Sequence, residues 1–317
     1  MKPVKGLHHV TAMAGDPQRN LNFYHGLLGQ RLVKKTVNFD DPGTFHFYFA
    51  DKVGSPGTVM THFPWPRAGR GTLGNGETGS VSYAVAADSM GFWHKRLSTH
   101  GVTPGTPKAA FGEEVMSFDD PDGMSVNLVA VDSPAHVEHW DGGAVPAEHI
   151  LHGFRGVTLW LDAVDPTASL LVDQMGFTVA GEEDGRTRLI SAADGPGHAI
   201  DLLARPGKGG GRFGVGSIHH IAFRVASDDE QLEYREALLA AGFNVTEVKD
   251  RQYFHSIYFR SPGGVLFEIA TDAPGFLLDE LVEALGSDLR LPPWLEPRRA
   301  EIAAALPPVV HPDQDAG

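Results

Sequence analysis

The sequence predicts an α+β fold in which four βαβββ modules are followed by a helical C-terminal tail. An order of one strand, one helix and a further set of strands recurs four times, at a spacing of about 65–75 residues, which is typical of a repeat architecture. Two modules begin with a strand that contains adjacent histidines, His8-His9 and His219-His220. Each predicted helix is followed by a glycine, a common helix terminator; these are Gly29, Gly101, Gly176 and Gly242.

The predicted elements follow the chain in order. Module one has a helix at residues 17–28 and strands at 6–13, 31–38, 44–49 and 57–63. Module two has a helix at 90–100 and strands at 80–86, 114–118 and 124–131. Module three has a helix at 166–175 and strands at 156–161, 177–182, 186–191 and 198–204. Module four has a helix at 229–241 and strands at 218–225, 243–248, 255–260 and 265–270.

A polar segment at 132–152, with two prolines, is interpreted as a linker. We therefore expect an N-terminal domain at 1–135 with modules one and two, a C-terminal domain at 153–272 with modules three and four, and a tail at 273–317. Within the tail we predict helices at 279–285 and 296–306, a break at Pro292-Pro293 and a frayed end at 307–317. We interpret the tail as structural packing, with an active-site lid as the alternative.

Composition limits the partners and the compartment. Asp and Glu number 40 against 26 Lys and Arg, and no basic stripe offsets the net charge of −14, so a nucleic-acid partner is not expected. The absence of cysteine excludes disulfides, cysteine zinc sites and thiol catalysis. The sequence shows no signal-peptide pattern and no apolar run near the ~20 residues of a membrane helix. We expect a cytoplasmic protein without a membrane partner, for which a homo-oligomer is compatible with the sequence.

Strand alternation selects a possible metal site. Successive side chains of a strand face opposite sides, so the apolar residues Ile221, Phe223 and Val225 face the core and His220 faces away from it. The same sorting turns His9 and Glu268 away from the apolar layers, and a carboxylate in an apolar strand is costly unless it is paired or binds a metal. Two imidazoles and one carboxylate form the facial triad with open positions that suits iron(II).

Three motifs carry a resemblance to a known family. They are Leu7-His8-His9-Val10-Thr11, Ile218-His219-His220-Ile221-Ala222-Phe223, and Asp250-Arg251 followed one residue later by Tyr253-Phe254. Together with the four modules they resemble the vicinal oxygen chelate superfamily of glyoxalases, fosfomycin-resistance proteins and extradiol dioxygenases. Within it they resemble the ring-cleaving dioxygenases that open hydroquinones and chlorinated hydroquinones. The resemblance implies two pseudo-symmetric domains of curved mixed sheets, with modules one and four around the metal and modules two and three in a non-catalytic sheet.

The implied function is a non-haem iron(II) dioxygenase that cleaves a hydroquinone or related dihydroxybenzene and inserts both atoms of O2, with manganese(II) as an alternative metal. Its partners are a small aromatic substrate and O2. The rival interpretations are a glyoxalase-like isomerase or lyase that uses nickel, zinc or manganese, and a metal-free binding protein of the bleomycin-resistance type. Thr61 aligns with Glu268 but is a poor ligand at the position where four-ligand glyoxalases carry a carboxylate, which favours the dioxygenase.

Alignment of the modules separates the catalytic pair from the other pair. The apolar register of the final strands aligns Thr61, Asn127, Asp201 and Glu268. An alignment of the first strands puts His9, Val81, Val157 and His220 together. Modules two and three therefore lack the histidines.

Further residues are expected around the substrate. Thr11 shares the face of His9, and the resemblance assigns Arg251 and Tyr258 as an anion-stabilising pair, against the alternatives of a solvated arginine and a half-buried tyrosine. Strict alternation turns His8 and His219 toward the helices, whereas the resemblance places both beside the substrate as proton-transfer candidates. The second arrangement requires a locally irregular strand. Other histidines receive no assigned role; they include His25, His46, His136 and His139.

Overall fold

A computed structural model describes residues 1–311, which form two eight-stranded mixed sheets. Module one contributes β1 (Leu7–Ala14), β2 (Arg31–Asn38), β3 (Asp41–Ala50) and β4 (Val59–Pro64). Module two contributes β5 (Glu77–Ala86), β6 (Lys108–Ala110), β7 (Glu113–Asp119) and β8 (Ser125–Val131). Module three contributes β9 (Phe154–Leu161), β10 (Thr178–Glu183), β11 (Arg186–Ile190) and β12 (Ala199–Ala204). Module four contributes β13 (Ile218–Val225), β14 (Lys249–Asp250), β15 (Phe254–Arg260) and β16 (Leu266–Pro274).

The predicted pairing of modules is confirmed. The first sheet has the order β14-β15-β16-β13-β1-β4-β3-β2 and joins modules four and one. The second sheet has the order β10-β11-β12-β9-β5-β8-β7-β6 and joins modules three and two. In each sheet the first strands of the two modules pair antiparallel at the centre, and each first strand pairs parallel with the last strand of its own module. Each sheet thus contains one module from the N-terminal half of the chain and one from the C-terminal half.

Helices cover the apolar faces of the sheets. They are α1 (Pro17–Leu21), α2 (Met90–Thr99), α3 (Asp165–Ser169), α4 (Asp228–Ala240) and α5 (Arg299–Ala305). The Asp16 side chain caps α1 by accepting a hydrogen bond from the Arg19 backbone N–H at 2.8 Å, a common device at helix starts. α1 and α3 continue as π-helical turns at Asn22–Leu27 and Leu170–Gln174, so the predicted helical lengths are kept with a wider last turn.

The alternation of apolar residues is confirmed in the core. Ile221, Phe223 and Val225 are buried, and the Phe223 ring packs edge-on against Phe267 with ring centroids 5.0 Å apart. The residues of these strands that are turned to the other side are therefore free to line the concave face of the first sheet. Within residues 1–311 no helix is long and apolar enough to cross a membrane.

Two predicted elements are wrong, and one observed strand was missed. Residues 243–248 form no strand, and the edge of the first sheet is the two-residue β14 instead. β6 was not predicted. Residues 279–285 are not an amphipathic helix but short turns, because Asp279 and Glu280 reach back to the buried ammonium group of Lys34 on β2. The predicted helix at 296–306 is confirmed as a 3-10 turn and α5, and residues 312–317 of the predicted frayed end lie outside the described residues.

The described part of the tail lies along β2. The backbone N–H of Arg290 donates to the Lys35 carbonyl at 2.9 Å, and Leu289 forms an isolated bridge with Lys35. Nζ of Lys34 lies 2.6 Å from Oδ1 of Asp279. The tail thereby adds a layer to the module-one edge of the first sheet.

Candidate metal centre and cavity

His9, His220 and Glu268 meet on the concave face of the first sheet, as alternation predicts. Their ligand atoms all lie within 4.8 Å of one another, and the three residues are buried. The Nε2 atoms of the two histidines are 3.3 Å apart. Oε2 of Glu268 lies 2.9 Å from Nε2 of His220 and 3.3 Å from Nε2 of His9. Three residues from the central strands and from β16 thus direct one atom each to a common point.

The donor set fits a divalent cation. Ligand atoms on one face of an octahedron, about 2.1 Å from the ion, lie about 3.0 Å apart, which agrees with the three separations. The Ser256 hydroxyl donates to Oε1 of Glu268, but Oε2 has no hydrogen-bond partner although it is fully buried. A buried oxygen without a partner is costly, so a cation between Oε2 and the two imidazoles satisfies it.

Burial and charge oppose each other in this cluster. Burial would raise the pKa of Glu268, but the neighbouring His9 and His220 outweigh it and hold that pKa well below its usual range. Burial lowers the pKa of His220, against the opposing attraction of Glu268. A neutral imidazole beside an ionised carboxylate is the protonation state that metal binding requires.

β-bulges bring the other two histidines to the same side as the ligands. Along the antiparallel pair of β1 and β13, the register is shifted between Leu7 and His9, so His8 is an extra residue in β1. A second shift between Thr11 and Ala12 makes His219 the extra residue in β13. Strict alternation is therefore wrong at both residues, because a bulged residue leaves the two-residue period.

Each bulged histidine contacts the metal-ligand candidate that follows it. Nδ1 of His8 lies 3.0 Å from Nδ1 of His9, and Nδ1 of His219 lies 2.7 Å from Nδ1 of His220. Burial lowers the pKa of His8 and of His219 to about 3. Their surroundings differ, since His219 lines the cavity described below and His8 does not, its ring packing instead against Phe254 with centroids 5.2 Å apart.

A cavity of about 230 Å³ opens beside the three ligand atoms. Its walls are largely aromatic, with four histidines and a few other polar groups among them. The lining residues include His9, His220, Thr11, His219, Tyr258, Arg251, Phe63, Trp65, Phe254 and Phe39. This volume and its aromatic walls fit a small aromatic molecule, which the polar groups among them can orient.

Arg251 and Tyr258 form a pair on the cavity wall, as the family motif implies. Nε of Arg251 donates to the Tyr258 hydroxyl at 3.1 Å, and Nη1 donates to Oδ2 of Asp40 at 2.9 Å. Burial works against the charge of Arg251, but Tyr258 and Asp40 outweigh it and raise the pKa. Burial raises the pKa of Tyr258, whose ring packs edge-on against that of His220 with centroids 5.7 Å apart. Arg251 is therefore not a solvated arginine, and Tyr258 is half-buried but paired with it.

Sequence reasoning missed His46, which also lines the cavity. Nε2 of His46 lies 2.9 Å from the Thr61 hydroxyl, which donates to Thr11 at 2.8 Å, and the Tyr48 hydroxyl lies 2.8 Å from Nδ1 of His46. Burial, followed by the charges of His9 and His220, lowers the pKa of His46 well below its usual range. The available signal was alternation within residues 44–49, which puts His46 and Tyr48 on one face.

The second sheet lacks a comparable centre among the described residues. Its carboxylate equivalent to Glu268 is Asp201, which pairs with the Arg188 guanidinium at 2.7 and 2.9 Å. The sheet registers align Thr61, Asn127, Asp201 and Glu268, as predicted from the final strands. The first-strand alignment is wrong by one residue, however.

That correction follows from the strands beside them. In each module the aligned residue of the last strand pairs with a residue of the first strand: Thr61 with Thr11, Asn127 with Ser82 and Asp201 with Thr158. His9 lies two residues before Thr11. Its equivalents therefore lie two residues before Ser82 and Thr158, at Ser80 and Gly156 rather than at Val81 and Val157. Modules two and three lack the histidines in either alignment.

Comparisons with known proteins cover almost the whole chain. The family model for the glyoxalase/bleomycin resistance protein/dioxygenase superfamily matches residues 6–128 and 151–269. MhqO of Bacillus subtilis (strain 168), which carries the provisional name of ring-cleaving dioxygenase, is 45% identical over 307 residues and 97% of each chain. The chlorohydroquinone/hydroquinone 1,2-dioxygenase of Sphingobium indicum is 34% identical over 311 residues and 96% of each chain.

Solved structures share the fold. A crystal structure from Bacillus subtilis, provisionally described as a dioxygenase, superimposes with a TM-score of 0.93 at 44% identity and covers 98% of this chain and 99% of that chain. Glyoxalase I from Zea mays has a TM-score of 0.64 at 13% identity and covers 84% of this chain and 92% of that chain, a likeness of fold alone. With family-model matches in both halves and relatives along nearly its full length, the chain belongs to the glyoxalase/bleomycin resistance protein/dioxygenase superfamily.

Proposed function

We propose that the protein is an iron(II) dioxygenase that cleaves the ring of a hydroquinone or related dihydroxybenzene. The observation that carries the proposal is the set of three protein ligands, His9, His220 and Glu268, at the base of an aromatic-walled cavity. Two histidines and one carboxylate on one face suit iron(II) with positions left for other ligands. The 34% identical relative named as a hydroquinone dioxygenase supports the substrate class.

When bound, the iron would supply the one-electron chemistry that O2 requires, and the protein supplies the environment. The aromatic walls exclude water and hold the ring. Arg251 binds an oxygen of the substrate, because its guanidinium is a permanent cation on the cavity wall. Tyr258, which accepts a hydrogen bond from Arg251, keeps its own proton for donation to a developing oxyanion.

His219 is the candidate for proton transfer. It lines the cavity, its ring is half-buried, and only its Nδ1 is engaged with His220. Ring opening requires a proton taken from a substrate hydroxyl and a proton returned later, which a positioned imidazole carries out. Thr11 lines the same cavity and positions substrate with its hydroxyl, which Thr61 holds from behind.

His8 has a different role in this proposal. When Nε2 of His9 serves as a ligand, Nδ1 of His9 carries the proton and donates it to Nδ1 of His8, which fixes the ring of His9. His8 is outside the cavity lining, so we assign it as a positioning residue rather than as a group that touches substrate.

Oxygen consumption tests the function. Protein purified without oxygen and loaded with iron(II) should consume one O2 per hydroquinone ring opened, without NADH, and manganese(II) loading in parallel decides between the two metals. A panel of catechols, hydroquinones and ketoaldehyde adducts separates the alternatives. Metal-dependent isomerisation of a ketoaldehyde adduct without O2 uptake would favour a glyoxalase-like enzyme. Ligand binding with no metal requirement would favour a bleomycin-resistance-type protein.

A further inference from the structure

We infer that Asp40 makes the cavity select uncharged dihydroxybenzenes against aromatic carboxylates, because it already neutralises the cation that a carboxylate would need. This inference rests on the proposed function and specifies its substrate class.

The side chains that line the cavity offer one permanent cation. Of the described residues that line it, Arg251 alone is a lysine or arginine. The Arg251 side chain is 21% exposed, and its nitrogens contact Oδ2 of Asp40 at 2.9 Å and the Tyr258 hydroxyl at 3.1 Å. Both partners line the cavity as well. A ring carboxylate entering the cavity would therefore meet a guanidinium that is already paired.

The position of Asp40 beside Arg251 is fixed by the turn in which it lies and by the C-terminal tail. It lies in the turn between β2 and β3 of module one, 211 residues from Arg251, and its backbone N–H donates to the Asn38 side chain at 3.0 Å. The adjacent Phe39 packs edge-on against Trp294 of the tail with ring centroids 5.7 Å apart. The carboxylate is thus fixed at the opening, although its own side chain is 72% exposed.

The sign of the charge decides the selection. Asp40 repels a second carboxylate that enters the cavity. A binding site can discriminate between ligands by such like-charge repulsion as well as by attraction. A phenolic hydroxyl is uncharged when it enters, so it can take a guanidinium hydrogen bond without displacing the carboxylate. The aromatic walls fit the ring of either ligand and do not discriminate between them.

The test compares three ligands of similar size: methylhydroquinone, 2,5-dihydroxybenzamide and 2,5-dihydroxybenzoate. Their binding is titrated without oxygen to the iron(II)-loaded protein, and kcat/KM is then measured by O2 uptake. We expect wild-type protein to bind the amide more tightly than the carboxylate. In Asp40→Asn, which keeps the shape of the side chain, this preference should fall by about ten-fold, and less at high salt because the pair is partly exposed.

Glu247→Gln is the matched control, since Glu247 is likewise an exposed carboxylate paired with a mostly buried arginine, Arg235, at 2.6 Å, and neither residue lines the cavity. Its amide-to-carboxylate ratio should equal that of wild type. An unchanged ratio in Asp40→Asn, or a wild-type preference for the carboxylate, overturns the inference. Hydroquinones that bind without being cleaved refute the proposed function and still allow the ratio to be measured, whereas ligands that do not bind at all refute both.

Discussion

Thr61 occupies in module one the sheet position that Glu268 occupies in module four. Thr61 is opposite Tyr48 on the neighbouring strand, and Glu268 is opposite Tyr258. The parallel extends one step further, because His46 contacts Thr61 as Ser256 contacts Glu268. A fourth ligand position is therefore present in the fold and is filled by a hydroxyl that hydrogen bonds to His46 and Thr11.

Thr61→Glu should convert the three-ligand set into a four-ligand set. A carboxylate at this position is expected to tighten metal binding and to reduce O2 uptake at least ten-fold, since one of the positions needed by substrate and O2 is taken. Metal dissociation and O2 consumption are measured on the same preparation. Thr61→Val, which removes the hydroxyl without adding a ligand, controls for the loss of the His46 contact. Unchanged metal affinity together with full O2 uptake in Thr61→Glu would contradict the equivalence of the two positions.

Glu268→Gln should abolish stoichiometric metal binding, because it replaces the one anionic ligand with a neutral amide. Metal content after dialysis is measured by elemental analysis. The same variant should lose the metal-dependent rise in unfolding free energy, ~2.7 kcal/mol at one hundred times the dissociation constant if only the native state binds. Asp201→Asn, the equivalent change in the second sheet, should keep both properties. Full metal content in Glu268→Gln would remove this residue from the ligand set.

His8→Ala and His219→Ala should separate metal affinity from turnover. Both lose a contact to the Nδ1 atom of a ligand, which typically costs ~10–100-fold in metal affinity. Turnover per bound iron should remain near the wild-type value in His8→Ala. In His219→Ala it should fall by ~10²–10⁴-fold, because a positioned acid or base is lost from the cavity. Equal turnover per iron in the two variants would argue against proton transfer by His219.

Lys34→Met should lower the free energy of unfolding by ~3–5 kcal/mol, since it leaves Asp279 and Glu280 without their buried cation. The free energy of unfolding is measured in urea. Lys35→Met is the control on the next residue, whose ammonium donates to the Ser287 carbonyl at 2.9 Å. It should change stability by less than ~1 kcal/mol. Similar values for the two variants would show that the tail is not anchored through Lys34.

Alternation along the strands predicted the candidate ligand set because the apolar residues that follow His9 and His220, and those on both sides of Glu268, keep the two-residue period despite the adjacent bulges. The bulges at His8 and His219 were not predictable from alternation, since a bulge is an interruption of the period and depends on the partner strand. His46 was missed for a related reason. Its place in the cavity depends on the contact with Thr61 on the neighbouring strand. The pairing of these two strands cannot be predicted from the sequence around residue 46.

Local pattern also failed where side-chain contacts over long distances decide the backbone. Residues 279–285 have the spacing of an amphipathic helix, but Asp279 is drawn to Lys34 and also accepts from the Tyr253 hydroxyl at 3.1 Å. Residues 243–248 have the composition of a strand, yet only the two residues of β14 pair with β15. In the first segment tertiary contacts outweigh the local preference, and in the second the Thr246 hydroxyl, rather than a backbone carbonyl, accepts the Tyr258 backbone N–H at 3.0 Å.

The separation of the ligands along the chain sets the earliest moment at which an ion can be held. His9 leaves the ribosome early, but His220 follows 211 residues later, and Glu268 later still. At ~5–20 residues per second, roughly 10–40 s of synthesis pass between the two histidines. During that time the nascent chain lacks two of the three candidate ligands and cannot form the complete site. A metal ion at this site would therefore bind only after translation of module four, when the two halves of the chain close the first sheet.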